Sequence, residues 1–460
     1  MRTLFIFIIL FTSCFVWGQD SLQRFELDEV VVTGEVEPQS AKQSVYQVRT
    51  IPMERIQAQG STRLQDVLST ELNMRFSQDP ALGESNFDML GLSGQNIKIL
   101  IDGVPIVGRQ GVRNEININQ INVNSIERIE IVEGPMSVIY GADALAGVIN
   151  IITKKAGESK LDISATIHEE SIGSEYGMSK GIHNESVSFG YNAGSIYFSG
   201  NINRNDFQGT AGDSIERKMQ WLPKMQWLGG GLVGYKADKW DAYYRADYLH
   251  EKIYSPDRFV GTQAIDQNFI TQRLMHQLQL NVRLSKKLNY NAAFSYTDFK
   301  RRTQTIVVDK ATGRETLAVS ELQKRNSFNG LTLRGTFQYK FSDVFTLQPG
   351  YDINIESGTG ERLQEGDNII SDYAAFISAD LKITPFINLR PGLRVVRNTS
   401  YEAPPVIPSL NTKFVLSEKH DIRVSYGRGF RAPSIRELYF NFIDASHSIE
   451  GNPELEAELS

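Results

Sequence analysis

Cysteine is almost missing from this chain: among 460 residues there is only Cys14, inside a short apolar stretch at the N-terminus. Disulfides and thiolate metal sites are therefore not what holds the fold together. Histidine is scarce, six in all, and neither a His-Glu-x-x-His pair nor a Gly-x-Ser-x-Gly elbow occurs. That leaves little from which to build a hydrolase, and the chain reads as a non-enzyme. No glycine-rich turn is followed by Gly-Lys-Ser/Thr, which excludes a phosphate-binding loop. A basic excess is missing too: 48 Lys and Arg against 54 Asp and Glu give a net charge of -6, with no footprint for nucleic acid. A mean hydropathy of -0.29 excludes a bundle of apolar membrane helices. It does not exclude a membrane β-barrel, whose strands hide their apolar residues in alternation. With 41% hydrophobic and 10% aromatic residues, global disorder is also excluded.

The apolar run from Leu4 to Val16 follows Met1-Arg2-Thr3 and precedes Gly18-Gln19-Asp20. One positive charge, a short apolar core and small residues before a polar one form a cleaved export signal. A membrane helix would need about 20 apolar residues. Cleavage after Gly18 removes Cys14. Phe11-Thr12-Ser13-Cys14 has a faint likeness to a lipoprotein box, yet Phe15-Val16-Trp17 behind it continues the signal core.

Two kinds of pattern follow. From Gln19 to Gly157 short helical and strand signals mix. Leu64, Val67 and Leu68 share one helical face, while Ile97–Ile101 is a β-branched strand closed by the turn Asp102-Gly103. Ile126–Val132 and Val148–Thr153 read as further strands, and Gly134-Pro135 opens a short helix ending at Tyr140-Gly141. This is a small α+β domain.

From Glu158 the period becomes two. Trp240, Ala242, Tyr244, Ala246 and Tyr248 alternate with Asp241, Tyr243, Arg245 and Asp247. Leu288, Tyr290, Ala292, Phe294 and Tyr296 alternate with Asn289, Asn291, Ser295 and Thr297. Leu331, Leu333, Phe337, Tyr339 and Phe341 alternate with Thr332, Arg334, Thr336, Gln338 and Lys340. Long strands with one apolar and one charged face are the pattern of a transmembrane antiparallel β-barrel, and Tyr191, Phe198, Phe294, Phe299, Phe337 and Phe341 read as aromatic girdles. A soluble sandwich would use strands nearer 5–6 residues.

Three blocks give the chain a resemblance to the TonB-dependent outer-membrane receptors. The first is Leu27-Asp28-Glu29-Val30-Val31-Val32-Thr33-Gly34, which resembles a TonB box before a flexible lead-in, Glu35 to Gln43. Such a β-branched segment adds as a strand to a partner's sheet. The second runs through Asn96–Pro105, Ile126–Pro135, Ser137–Gly141 and Ala146–Lys154 and resembles the plug domain. Many relatives have a basic residue where this chain has Glu133. The third is Tyr426-Gly427-Arg428-Gly429-Phe430-Arg431-Ala432-Pro433 with Glu437-Leu438-Tyr439 and Gly451-Asn452-Pro453-Glu454-Leu455, similar to paired boxes of haem and siderophore receptors.

The resemblance implies this organisation: signal 1–18, TonB box and lead-in 19–43, plug 44–157, and the first part of a barrel over 158–460. It implies localisation in the outer membrane of a Gram-negative bacterium. It also implies a TonB partner, with the ExbB–ExbD complex behind it, contacting Asp28, Glu29, Val30, Val31, Val32, Thr33 and Gly34. No cofactor is expected; iron or haem enters only as cargo. Substrate contacts are expected at Arg109 and Arg113, in the loop after Asp102, and at Arg431, Arg436, Tyr439 and His447. Arg75 is a weaker candidate, and Phe440, Phe442 and Asp444 lie in the same segment as Arg436. Arginines with aromatics suit an anionic iron chelate, whereas His447 suits haem iron. Siderophore uptake leads, followed by haem, then cobalamin or an oligosaccharide. The 303 residues from 158 to 460 (460 − 157) hold roughly 13 strands at about 23 residues each. Plugged transporters have about 22, so the sequence is expected to be a C-terminally truncated piece, and a non-functional fragment is among the readings.

Overall fold

The computed structural model describes residues 30–460, apart from 36–37, 80–83, 112, 158, 213, 215, 367 and 444–447. The export signal, Asp28, Glu29, Asp444 and His447 lie outside the described residues.

The N-terminal unit is built on a five-stranded sheet. Its strands are β1 (Gln47–Pro52), β2 (Ile97–Ile101), β3 (Val104–Pro105), β4 (Ile126–Glu133) and β5 (Gly147–Thr153), in the order β1-β4-β5-β2-β3. The sheet is mixed, with β5 parallel to β2 and the remaining pairs antiparallel. β2 turns into β3 through Asp102 and Gly103, both at positive φ, as a tight Asp-Gly hairpin requires. Both faces of the sheet are covered. Ile99, Ile129, Ile131, Ile149 and Ile151 pack against helices α1 (Met53–Ala58) and α2 (Leu64–Leu68). Val48, Leu100, Val132 and Val148 pack beneath α3 (Ser137–Tyr140) and Val31. α3 starts two residues later than the sequence suggests, so Pro135 precedes its N-cap, Met136.

From Leu161 to Gly427 the chain forms one large antiparallel sheet. It runs through β6 (Leu161–Glu170), β7 (Ile182–Asn192), β8 (Ile196–Phe207), β9 (Lys224–Lys236) and β10 (Trp240–Ser255). It continues through β11 (Gln263–Arg283), β12 (Leu288–Asp309), β13 (Lys324–Ser342) and β14 (Phe345–Gly360). The last members are β15 (Asn368–Thr384), β16 (Ile387–Asn398), β17 (Val406–Val415) and β18 (Asp421–Gly427). These are thirteen strands, as the length predicts, with a short strand Glu315–Leu317 beside β12. Among the described residues no strand joins β6 to β18, so the sheet is open.

The sheet is inverted relative to a soluble protein. One rung, Tyr244, Leu278 and Phe294, is exposed, and the next, Arg245, Gln277, Ser295 and Thr332, is buried. The buried polar face wraps the N-terminal unit. Gln277 and Gln279 donate to the carbonyls of Ile101 and Asp102, and Arg273 Nη2 donates to Gln120 O at 2.7 Å. The connections sort by length. Turns 193–195, 237–239, 284–287, 343–344, 385–386 and 416–420 lie at one end. The longer connections 171–181, 208–223, 256–262, 310–323, 361–367 and 399–405 lie at the other, with residues 428–460 beyond β18.

Candidate functional site

The hairpin β2–β3 lifts the following loop toward the long-connection end. There Arg109–Gln110 pairs with Glu115–Ile116, and Gly108 takes a φ of +115° that lets the chain pass under Phe299. Above the loop is a chamber of about 330 Å³. Arg109, Gln110 and Gly111 form its floor; Phe269, Phe299, Arg301 and Phe328 come from the wall; Arg362, Arg436 and Phe440 close it. The lining holds four arginines and no carboxylate among the described residues.

The arginines are braced from behind. Arg109 Nη2 lies 2.6 Å from Asp143 Oδ2, and its Nη1 is buried with no acceptor among the described residues. Arg301 pairs with Glu84 and donates to Gln110 Oε1 at 2.7 Å. Arg436, on α4 (Ile435–Tyr439), donates to Gly111 O at 3.0 Å and lies over the Phe440 ring. Burial, then the Arg301 and Arg362 charges, pull the pKa of Arg436 below its ordinary value. An anion in the chamber relieves that crowding of positive charge. α4 is fixed by a capping box between Ser434 and Glu437, and Asn114 Nδ2 donates to Ser434 Oγ at 2.7 Å, tying the helix to the loop.

Of the residues expected to touch substrate, the structure brings Arg109 and Arg436 together in this chamber. Arg113 instead pairs with Asp88 and Glu115 within the N-terminal unit. Arg431 is spent on Glu437 and Glu458, at 2.8 and 2.6 Å, and braces α4 rather than the chamber. Tyr439 is half-buried against the apolar cluster of Phe430, Ile435 and Leu438. Arg75 is exposed on the strand Met74–Asp79, and His447 lies outside the described residues. Arg301, Arg362, Phe269, Phe299 and Phe328 were not foreseen. Phe299, expected in a lipid-facing girdle, is 1% exposed and faces inward. The available signal was parity: Phe269 and Phe299 are aromatic on the strand faces that are mostly polar.

A second arrangement sits lower. Val30–Val31 pairs with Gln39–Ser40, and Val31 and Thr33 are buried. The fully buried Glu130 carboxylate accepts from the amides of Val32 and Thr33, at 3.0 and 2.7 Å, and from the Thr33 hydroxyl. Gly34 N donates to the Tyr140 hydroxyl at 3.0 Å. From the wall, Arg390 Nη1 donates to Gly34 O at 2.6 Å and to Glu35 at 2.9 Å. The segment is therefore docked against both the N-terminal unit and the wall. Among the described residues no group of His, Cys, Asp and Glu is arranged to hold a metal ion.

Two family models match: a TonB-dependent receptor plug domain over residues 40–148, and a TonB-dependent receptor-like β-barrel over 174–460. The chain belongs to the TonB-dependent receptor family. Members of this outer-membrane family are receptors and transporters rather than enzymes. Among curated proteins this receptor is 25% identical over 433 residues to the vitamin B12 transporter BtuB of Vibrio vulnificus, covering 90% of this chain and 65% of that one. BtuB of Vibrio cholerae is 23% identical over 440 residues, with 90% and 64% covered. The receptor chain thus spans about 65% of the length of the curated relatives it matches. In fold it is similar to the siderophore receptor PirA of Acinetobacter baumannii (TM-score 0.73, 18% identity, 91% of this chain and 67% of that one). It is also similar to a mutant of the ferric enterobactin receptor PfeA of Pseudomonas aeruginosa (TM-score 0.70, 17% identity, 91% and 68%).

Proposed function

We propose that the receptor takes up an anionic iron chelate of the siderophore type across the outer membrane, driven by TonB. The observation that carries this reading is the chamber lined by Arg109, Arg301, Arg362 and Arg436 with Phe269, Phe299, Phe328 and Phe440. Guanidinium groups suit oxygen-rich anions, and aromatic faces suit the rings of a catecholate. The orphaned Nη1 of Arg109 is a donor awaiting an acceptor. In this reading the long connections face outward and the short turns the periplasm, as is usual for such barrels, with the chamber on the extracellular side and the docked segment on the periplasmic side.

Asp28 to Gly34 are the TonB-contacting residues in this reading, with the ExbB–ExbD complex behind TonB and export by a signal over 1–18. The hold of Glu130, Tyr140 and Arg390 on Val32–Gly34 is the state that TonB must compete with. Ligand binding raises transport by this route only if it favours the undocked state over the docked one.

The names of the curated relatives favour cobalamin as a second reading. The test is binding and uptake of a radiolabelled ferric tris-catecholate and of cobalamin by cells carrying the receptor. The chelate is expected to bind and enter, Arg436→Ala to weaken its binding about tenfold, and deletion of 28–34 to abolish uptake while sparing binding. Uptake of cobalamin alone overturns the iron reading; uptake that survives the deletion overturns the role of the segment.

A further inference from the structure

Two of the chamber's arginines have a carboxylate beneath them: Asp143 under Arg109 and Glu84 under Arg301. Asp143 is tied into the fold on its own account, because its Oδ1 accepts from Ala432 N at 3.0 Å. Glu84 is different. It opens the plug strand Glu84–Met89, is 2% exposed, and among the described residues only Arg301 donates to its carboxylate. It lies under the chamber floor rather than in the lining, and a Cβ on Gly111 would sit 2.6 Å from Glu84 Oε2. One glycine is all that separates the carboxylate from the chamber. Arg301 does not depend on Glu84 for its position. Its Nη1 also donates to Gln110 Oε1 at 2.7 Å, and its guanidinium lies 5.8 Å from the centre of the Phe269 ring. Glu84 thus adds charge where Gln110 and Phe269 already supply place.

Charged groups face Glu84 from every element around it: Arg301 on β12, Lys224 on β9, Glu251 on β10, Arg436 on α4 and Asp79 on the paired plug strand. Glu251 is itself engaged by Gln120 and Gln226, at 2.8 and 2.6 Å. Burial raises the Glu84 pKa above its ordinary value against the pull of Arg301, and Glu251 and Asp79 add to the rise. An anion that enters the chamber draws on Arg301 and repels the carboxylate under the floor, so it moves Glu84 further toward the neutral form.

We propose that Glu84 sets the charge of the chamber: it neutralises Arg301 while the chamber is empty and takes up a proton when a polyanion binds, so that cargo is selected by its negative charge. The inference rests on the reading of the chamber as the cargo site. Its sign is fixed. Below the folded-state pKa of Glu84 the carboxyl is neutral, Arg301 faces the ligand undiminished and a polyanion binds most tightly. As pH rises through that pKa the carboxylate competes for Arg301 and affinity falls to a plateau. That pKa lies above the ordinary carboxylate value of about 4.3. A neutral chelate does not shift Glu84 and gains nothing from its protonation.

The experiment is titration calorimetry on the full chain in detergent, at a series of pH values from neutral downward and in two buffers of different ionisation enthalpy, which counts protons taken up on binding. Three probes are used: a ferric tris-catecholate, benzenetrisulfonate as a trianion that does not itself titrate, and a neutral ferric tris-hydroxamate. Both anions are expected to bind with proton uptake. Glu84→Gln should bind them about tenfold more tightly at neutral pH, since a unit charge acts on a triply charged ligand, and should lose the uptake of benzenetrisulfonate and flatten its pH profile. Glu84→Asp should keep both. Affinity for the neutral chelate, where it binds, should be the same in all three proteins. Uptake that survives Glu84→Gln, or weaker anion binding by that variant, overturns the proposal and makes Glu84 a mere support for Arg301. If the catecholate fails to bind while benzenetrisulfonate binds with Glu84-dependent uptake, the siderophore reading falls and the role of Glu84 stands. Neither anion binding overturns both. If Glu84→Gln does not fold, the unsubstituted receptor decides, because benzenetrisulfonate binding without proton uptake overturns the proposal with no variant at all.

Discussion

In the plug, Ile129, Ile131, Ile149 and Ile151 are buried and packed against helices. In the sheet around it, Leu278 and Phe294 are exposed, whereas Arg390, Arg394 and Gln277 are buried. The same alphabet is used with opposite meaning. The plug follows the rule for a chain in water, where apolar area leaves solvent and stabilises by about 25 cal/mol per Å². The sheet follows the rule for a bilayer, where the apolar face stays outside and the strands must pair every backbone group. Its polar face would cost free energy as a dry interior. Part of that cost is offset by the plug's own carbonyls, which accept from it: Gln279 donates to Asp102 O, Arg273 to Gln120 O, Gln226 to Asn119 O. Each region is thus the solvent that the other's inner surface requires.

The largest test of that contrast is an acid placed in the plug core. Ile131→Asp puts a carboxylate between helices and sheet at a fully buried position. Destabilisation above about 4 kcal/mol is expected, because neither a partner nor water reaches the site. Protease cleavage within residues 44–157, followed against urea, measures it. A variant as resistant as the parent would mean that the plug has no core of its own.

Much of this contrast was legible in the sequence. Strands expected at Ile97–Ile101, Ile126–Val132 and Val148–Thr153 are found at Ile97–Ile101, Ile126–Glu133 and Gly147–Thr153. These segments are β-branched and bounded by turns, so local preference and burial agree. The barrel strands were legible for a different reason: alternation is strict wherever one face meets lipid. The chamber was half legible. Arg109 and Arg436 carry motif context, but Arg301 and Arg362 reach the site only through sheet register and the path of a loop. No spacing along the chain encodes that meeting. For Arg431 the carboxylate partners, Glu437 and Glu458, were visible in the sequence but not their proximity.

A cation on the outward face probes the other side of the contrast. Leu278 is half exposed, midway along the apolar band, flanked by Tyr244 and Phe294. Leu278→Arg is expected to cost about 2–4 kcal/mol in a bilayer, read as a shift in urea-dependent folding with vesicles. In detergent-free water the same change should be close to neutral or favourable. A cost that does not depend on the bilayer would mean that this face packs against protein.

The smallest expected effect lies at the seam where the two regions meet. Gly108 belongs to the plug loop and Phe299 to the wall, and a Cβ added at Gly108 would lie 2.5 Å from the Phe299 ring. Its φ of +115° also disfavours any side chain. Gly108→Ala should therefore cost about 1–2 kcal/mol and push Phe299 toward the chamber, lowering affinity for a ferric tris-catecholate severalfold. The two causes separate in a double-mutant cycle. Phe299→Leu removes the clash but not the backbone strain, so the pair should recover part of the stability and, if Phe299 is only a spacer, all of the affinity. If instead the ring itself covers the chelate, Phe299→Leu alone weakens binding and the pair stays weak. Calorimetric titration of the four proteins distinguishes the wall as a passive boundary of the plug from the wall as half of the binding surface.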